Sequence, residues 1–132
     1  MSEAVVREFL AGLGPDMDGV RATISKYMTD DVVYDNPGLP QCTGHAGVIG
    51  LYEEFARIAG FVRVDIEMLH VLASGNLVMT ERIDSAISAD GSLIGGESTP
   101  AMATFEMRDG LISAWRDYYD PTPLLAHFAS LG

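Results

Sequence analysis

Hydrophobic residues in the first half of the chain recur every three to four positions, which is the spacing of amphipathic helices. The first run stops at Gly14, and Asp16 or Asp18 can cap the helix that follows. A third run comes after Thr43, another possible cap, and ends at Gly60, which suits a helix end. The predicted buried stripes are Val5, Val6, Phe9, Leu10 and Leu13, then Val20, Ile24, Tyr27 and Met28, then Val48, Leu51, Tyr52, Phe55 and Ile58.

The second half of the chain alternates hydrophobic with polar residues, which is the pattern of half-buried β-strands. The alternation is clearest from Phe61 to Leu72, where valine, isoleucine and methionine oppose charged residues. We predict that Gly95-Gly96 forms a bulge or bend in the strand region from Ser92 to Met107. Turns are predicted at Ser74-Gly75-Asn76, Asp90-Gly91 and Asp109-Gly110.

Helices followed by a meander of long strands indicate an α+β fold. We predict a strongly curved, mixed or antiparallel sheet that wraps over about three N-terminal helices, giving a cone with an internal cavity. A short apolar strand from Val32 to Tyr34 precedes a proline-containing loop, and a last short helix has Thr122 as its predicted cap. The sequence contains no internal repeat or linker, so residues 1–132 are predicted to form a single domain.

The charge of the chain narrows the range of partners. Nineteen acidic residues against eight basic ones give a net charge of −11. Such a surface repels phosphate backbones and anionic lipids, so we expect neither nucleic acid nor membrane as a partner. The single cysteine, Cys42, cannot form an internal disulfide and favours a reducing compartment. With no signal peptide and no apolar stretch near the roughly 20 residues that span a bilayer, we expect a cytoplasmic protein.

Asp117 is the first candidate for chemistry, because it lies on a mostly apolar strand face. The segment after the Asp109-Gly110 turn is predicted as a strand on which Leu111, Ser113, Trp115, Asp117 and Tyr119 share one side. A carboxylate on such a face must find partners or change its protonation state. Pairing across the turn predicts that Asp117 lies opposite Met102, and Trp115 opposite Thr104.

Two other strands carry matching polar pairs. Arg82 and Asp84 share one side of a strand, with Cα atoms about 7 Å apart, and Tyr34 and Asn36 share one side of the short strand. Alternation alone favours a polar outer face for Arg82 and Asp84, because the hydrophobic residues Leu77, Met79 and Ile83 lie on the other side. Only the conjunction with Asp117, Tyr34 and Asn36 favours a buried cluster. The seven methionines, the Tyr118-Tyr119 pair and His70 are expected in the core or along the cavity.

These three segments resemble the limonene-1,2-epoxide hydrolase family. The resemblance runs from Tyr34 to Asp120 and is densest at Glu81-Arg82-Ile83-Asp84 and from Gly110 to Asp120. It implies the cone-shaped fold that the family shares with ketosteroid isomerases and nuclear-transport-factor-like proteins, and it implies a homodimer. One departure is Asp35, a carboxylate between the tyrosine and asparagine of the motif, which alternation directs to the opposite side.

The resemblance also implies roles for individual residues. Asp117 matches the general base that takes a proton from water, and Tyr34 and Asn36 match the groups that hold this water. Asp84 matches the general acid that protonates the epoxide oxygen, and Arg82 matches the guanidinium between the two aspartates. The implied substrates are water and a small or medium apolar epoxide, which would be opened to a vicinal diol in one step.

The implied reaction uses no cofactor, no metal and no covalent intermediate. The three histidines are scattered without metal-ligand spacing, which agrees with that expectation. Alternatives remain at this point. A cyclase that opens an epoxide with an internal hydroxyl would use the same carboxylates, and a ketosteroid-isomerase-like enzyme would need a base where the chain has Asn36. A ligand-binding or dimerisation module of the same fold would need no catalysis.

Overall fold

The computed structural model describes residues 2–131 and contains helices at both ends of the chain. The predicted cap of the second helix is Asp16, whose side chain accepts a hydrogen bond from the Gly19 amide at 3.0 Å. Gly60 ends the third helix in the left-handed conformation with φ 70°, as its position predicts. Thr43 precedes that helix without a side-chain cap bond. The helices are α1 Ser2–Ala11, α2 Met17–Tyr27, α3 Gly44–Ala59 and α4 Thr122–Leu131.

The structure contains six strands: β1 Met28–Asp35, β2 Cys42–Thr43, β3 Phe61–Ser74, β4 Leu77–Ser88, β5 Thr99–Arg108 and β6 Leu111–Tyr118. They form one sheet in the order β2-β1-β6-β5-β4-β3. The hairpin strands β3 to β6 are antiparallel, whereas β1 runs parallel to β6, so the sheet is mixed. The α+β class predicted from the sequence is therefore confirmed.

The core lies between the helices and the concave side of the sheet. Phe9 from α1 meets Trp115 from β6 edge-on, with ring centroids 5.1 Å apart, and Phe105 stacks on the same indole at 5.5 Å. All three side chains are almost completely buried. Burying aromatic surface of this size supplies much of the hydrophobic stabilisation of a small protein. The predicted packing of α1 against the sheet thus fixes the position of Trp115 and of its neighbours on β6.

A bulge in β6 makes the predicted strand register wrong by one residue. Met107 pairs with Ile112, but Glu106 pairs with Ala114, so Ser113 is an extra residue. The Ser113 hydroxyl donates to the Glu106 carbonyl at 3.1 Å, which helps to hold the irregularity. Beyond the bulge Asp117 lies opposite Ala103 rather than Met102, and Trp115 lies opposite Phe105 rather than Thr104. The bulge also reverses the alternation, because both Ile112 and Trp115 are buried.

Other expectations on local structure were also wrong. Gly95 and Gly96 lie in a loop between β4 and β5, where the Gly96 amide donates to the Leu93 carbonyl, and not in a bulged strand. The side-chain acceptor at the start of α4 is Asp120 and not the predicted cap Thr122. Asp120 Oδ1 accepts a hydrogen bond from the Thr122 amide at 3.0 Å. His70 is exposed and contacts Glu81. Tyr118 is exposed as well, together with Met79 and Met102.

Candidate active site

A cavity opens between the helices and the concave side of the sheet. Its empty volume is about 820 Å³ when the open mouth is counted. The apolar part of its wall comes from the helices, from β3 and from the loop before β5. Its main side chains are Leu10, Leu13, Phe55, Val64, Ile94 and Phe128. The five residues that the sequence singled out also line the cavity, and they come from β1 and the position after it, from β4 and from β6.

The face of β4 that carries Arg82 points into the molecule. Val78, Thr80 and Arg82 are at most 1% exposed, whereas Met79 on the opposite face is 48% exposed. The interpretation of this face as a polar outer surface is therefore wrong. The hydrophobic residues that suggested it lie on the outside of the sheet, and Arg82 is among the largest fully buried side chains of the protein.

Arg82 bridges the two aspartates with its planar guanidinium. Its Nε and Nη2 atoms donate to the two oxygens of Asp84 at 3.0 and 2.8 Å, and Nη2 also donates to Asp117 Oδ1 at 3.1 Å. The remaining Nη1 donates to Thr80 Oγ1 at 3.0 Å. Burying a guanidinium costs desolvation free energy unless each of its nitrogens has a hydrogen-bond partner. Here all three nitrogens have partners, and Asp84 keeps the more solvent-accessible position, with its side chain 22% exposed.

Asp117 is held by three donors at the end of β6. Trp115 Nε1 donates to Oδ1 at 2.7 Å, the Tyr34 hydroxyl donates to Oδ2 at 2.8 Å, and Arg82 supplies the third bond. Tyr34 also stacks on Trp115, with ring centroids 3.9 Å apart. Donors on both oxygens favour the ionised carboxylate and fix its orientation. Trp115 and Asp117 both face the interior, because they lie two positions apart on the part of β6 beyond the bulge.

Burial and charge act on Asp117 in opposite directions. Desolvation raises the pKa of Asp117 above its ordinary value of 3.8 and is the largest effect, while Arg82 and the Tyr34 hydrogen bond oppose it. For Arg82, burial by itself would lower the pKa, but the two aspartates raise it above the ordinary value, so the guanidinium stays charged. Burial likewise raises the pKa of Tyr34 and that of Tyr119, which keeps both phenols protonated. The site therefore combines a fixed cation with a carboxylate of raised basicity.

Asn36 lies in the same cavity, but its hydrogen bond goes elsewhere. Its carbonyl oxygen Oδ1 accepts a hydrogen bond from the Tyr119 hydroxyl at 2.7 Å, and the residue is 8% exposed. The structure thus brings Tyr34, Arg82, Asp84 and Asp117 into one hydrogen-bonded cluster and places Asn36 on the wall beside it. Asp35 instead accepts from Gln41, in agreement with the predicted outward direction.

Three residues that contact the predicted site residues were not recognised from the sequence as parts of the site. Trp115 donates to Asp117, Thr80 accepts from Arg82, and Tyr119 donates to Asn36. Each is two positions from a candidate residue, so alternation is a signal that could have found all three. The partner of Tyr119 has no such local signal, because Asn36 lies 83 residues away.

The described part of the chain offers no other obvious centre for chemistry. Among residues 2–131, no group of three or more histidine, cysteine, aspartate or glutamate side chains is arranged to hold a metal ion. Within the same residues, no helix is long and apolar enough to cross a membrane. Cys42 is only partly buried, and burial raises the pKa of its thiol, which makes the reactive thiolate scarcer. The cavity is therefore the candidate active site of the described residues.

Comparison with known proteins agrees with this geometry. The chain is 33% identical over 118 residues to the epoxide hydrolase EphG of Mycobacterium tuberculosis, an alignment that covers 87% of this chain and 70% of that protein. The structure of an M. tuberculosis LEH-like epoxide hydrolase superposes with a TM-score of 0.73 at 26% identity, over 98% of this chain and 90% of the other.

More distant relatives share the fold alone. A protein named as a SnoaL-like polyketide cyclase, from Jannaschia sp. CCS1, superposes with a TM-score of 0.70 at 18% identity, over 97% of this chain and 94% of that chain.

The family model of the limonene-1,2-epoxide hydrolase catalytic domain matches residues 2–129, almost the whole chain. The protein therefore belongs to the limonene-1,2-epoxide hydrolase family.

Proposed function

We propose that this protein is an epoxide hydrolase that adds water to a small or medium apolar epoxide and releases a vicinal diol. The observation that carries the proposal is the bridge that Arg82 forms between Asp84 and Asp117 in the wall of a mostly apolar cavity. Opening an epoxide requires a proton at oxygen while water attacks carbon, so one carboxyl must be protonated and the other ionised. A single cation between two carboxylates in a buried site favours one net negative charge on the pair.

In the proposed reaction, Asp117 takes a proton from water while the water oxygen bonds to an epoxide carbon. The carbon–oxygen bond of the ring breaks, and Asp84 delivers its proton to the departing oxygen. The product is the diol, and the proton that Asp117 has gained must return to Asp84 before the next turnover. Positioned acid and base groups contribute about 10²–10⁴-fold each to such a reaction. The raised pKa of Asp117 improves it as a base near neutral pH.

The surroundings of Asp117 favour a base over a nucleophile. Both of its oxygens accept hydrogen bonds, Oδ1 from Trp115 and Arg82 and Oδ2 from Tyr34. An attack of Asp117 on carbon would have to weaken these bonds as the carboxylate became an ester. Proton uptake from a water molecule leaves the carboxyl group in the place where these donors hold it, which supports a single step without an ester intermediate.

The test combines isotope labelling with two variants. Single turnover in ¹⁸O-labelled water should place the label in the first diol formed, and Asp117→Asn and Asp84→Asn should each reduce turnover at least about 10³-fold while the fold persists. Asp35→Asn is the matched control, because Asp35 lies on the neighbouring strand and contacts Gln41 instead of the cluster. Label that enters only at the second turnover would refute the direct attack of water, and an active Asp117→Asn variant would refute the assigned base.

A cyclase is the second candidate, since the same pair of carboxylates could activate an internal hydroxyl of the substrate. The shared fold with a protein named as a SnoaL-like polyketide cyclase, at 18% identity, is the reason to keep this candidate. A ketosteroid-isomerase-like reaction is disfavoured because Asn36, an amide, occupies the place of the required base. Offering a hydroxy-epoxide and a simple epoxide to the same preparation distinguishes the candidates, since a hydrolase converts the simple epoxide and a cyclase does not.

We also infer that two copies of the chain associate through the outer face of the sheet. Leu72, Met79, Met102 and Tyr118 are 75, 48, 54 and 60% exposed. Leu72 pairs with Met79 and Met102 pairs with Tyr118 across neighbouring strands, so these side chains share one surface. Contiguous exposed apolar surface commonly marks a protein interface. Met102→Lys should shift the mass in light scattering to that of a monomer, whereas Leu131→Lys, a control on α4, should not; a monomeric wild type would refute the inference.

A further inference from the structure

The hydrogen bond between Tyr119 and Asn36 lies beside the aspartate cluster but is not part of it. Tyr119 follows β6 directly and Asn36 follows β1, and their side chains meet at 2.7 Å in the wall of the cavity. On the basis of the proposed hydrolysis, we propose that Tyr119 is a positioning residue that orients the Asn36 amide toward the water molecule that Asp117 activates. Tyr119 would then act on the reaction through Asn36 and not by touching the substrate.

The orientation of an amide decides what it can do, because one end only accepts hydrogen bonds and the other only donates them. Burial raises the pKa of Tyr119, so its hydroxyl keeps the proton and donates it to Asn36 Oδ1. This bond turns the carbonyl end toward Tyr119 and leaves the NH₂ group for another acceptor. A water that gives its proton to Asp117 still has a lone pair to accept a bond from that NH₂ group.

The amide nitrogen of Asn36 is directed at open space. Within residues 2–131 it makes no hydrogen bond, yet it is not among the buried polar atoms that lack a partner, so it reaches solvent-accessible volume. Asn36 lines the cavity, and the residue before it, Asp35, pairs with Arg116, the residue before Asp117. The free N–H groups therefore lie on the part of the wall that adjoins the proposed base.

The backbone of Asn36 cannot set this orientation alone. Its carbonyl accepts from the Leu39 amide at 3.2 Å, which closes the loop after β1 and fixes the position of the residue. Rotation of the side-chain amide about its last bond is broad in energy and roughly two-fold, so the backbone leaves two orientations open. In the structure the phenol of Tyr119 selects one of the two, because its hydroxyl donates to the carbonyl oxygen Oδ1.

The first test is a double-mutant cycle with an epoxide that the wild type hydrolyses. We expect Asn36→Ala to lower kcat about 10²-fold and Tyr119→Phe to lower it about tenfold with KM changed less than about twofold, since one hydrogen bond is lost. The double variant should be no slower than Asn36→Ala, because Tyr119 acts through that residue. Tyr27→Phe is the matched control, since it also removes a tyrosine hydroxyl, one that donates to Glu8 away from the cavity, and it should leave both constants unchanged.

Losses that multiply in the double variant would overturn the proposal and assign Tyr119 a direct contact with substrate. An unchanged kcat in Tyr119→Phe would also overturn it. The second test needs no turnover: the side-chain NH₂ resonances of Asn36, assigned by their disappearance in Asn36→Ala, should shift in Tyr119→Phe and not in Tyr27→Phe. Resonances that do not move would refute the orienting bond. A wild type that converts no epoxide would refute the proposed function, and the resonance test would still decide on the contact.

Discussion

Replacing Arg82 with methionine tests whether the guanidinium stabilises the ionised carboxylate of the buried Asp117. Methionine has a similar length and is apolar, so the core remains filled while the charge and the hydrogen bonds disappear. Asp117 would keep its other two donors, Tyr34 and Trp115, but would lose its cation. Thr80 would lose a partner in a position that is 1% exposed.

The expected cost follows from the burial of the pair. Removing one partner of a buried ion pair lowers the free energy of unfolding by about 3–5 kcal/mol, because the remaining charge stays buried without compensation. A domain of this size has a total stability of about 5–15 kcal/mol, so the variant should still fold. Arg116→Met is the matched control. Arg116 pairs with Glu106 at a site where the arginine side chain is 32% exposed, and a partly exposed pair of this kind contributes below about 1 kcal/mol.

The cost should also depend on pH in a defined direction. Because burial raises the folded-state pKa of Asp117 above 3.8, the contribution of this group to stability is present below that value and lost as the pH rises through the folded-state pKa. Without Arg82 that pKa rises further. Each additional unit increases the deficit of Arg82→Met at high pH, relative to low pH, by about 1.4 kcal/mol.

Urea unfolding of the wild type, Arg82→Met and Arg116→Met at a series of pH values between 4 and 8 measures these differences. The deficit of Arg82→Met should widen steadily toward pH 8, whereas that of Arg116→Met should stay small throughout. A deficit for Arg82→Met that is constant with pH, or largest at low pH, would refute the account of the pair in which Arg82 stabilises an ionised Asp117.

Two further predictions address the base and the helices. Trp115→Phe removes the Nε1 donor from Asp117, so the pKa of Asp117 should rise and the ascending limb of the pH profile of kcat/KM should move to higher pH; an unmoved limb would contradict the assignment of the base. Gly50→Ala, where a Cβ would meet nothing within 4 Å, should raise the free energy of unfolding by up to about 1 kcal/mol in a thermal melt. Gly60→Ala, with φ +70°, should lower it by about 1 kcal/mol; a change of the same sign in both variants would contradict one of these two predictions.

The sequence predicted the helices and strands well because their signals are local. Asp16 caps α2 as its position before the hydrophobic stripe predicts, and Gly60 ends α3 in the left-handed conformation. The turn at Asp109-Gly110 joins β5 to β6 as expected. These features depend on the conformational preferences of a few neighbouring residues, so the local sequence is enough to predict them.

The register of β6 could not be read in the same way. The bulge at Ser113 follows from packing, since it brings both Ile112 and Trp115 into the core, and nothing in the local sequence requires it. The orientation of β4 was ambiguous for a related reason. Its outer face carries hydrophobic residues such as Met79, so alternation of polarity does not indicate which face is buried.

The candidate site was found from the sequence only through a resemblance that joined three distant segments. The contacts that complete it, from Trp115 to Asp117 and from Tyr119 to Asn36, depend on how the strands assemble. The contact of Tyr119 with Asn36 is especially hard to foresee, because neither residue lies within a strand. Tertiary structure decides side-chain contacts of this kind, and local sequence patterns do not encode them.

The parallel pairing of β1 with β6 has a consequence for the newly made protein. Tyr34 and Asp117 are 83 residues apart, so Tyr34 leaves the ribosome long before its partner on the last strand has been synthesised. Until then β1 has no neighbour on one edge, and contacts between such distant residues form slowly. The nascent chain therefore lacks the contact between Tyr34 and Asp117 until β6 has emerged, and a fragment that ends before β6 cannot form it.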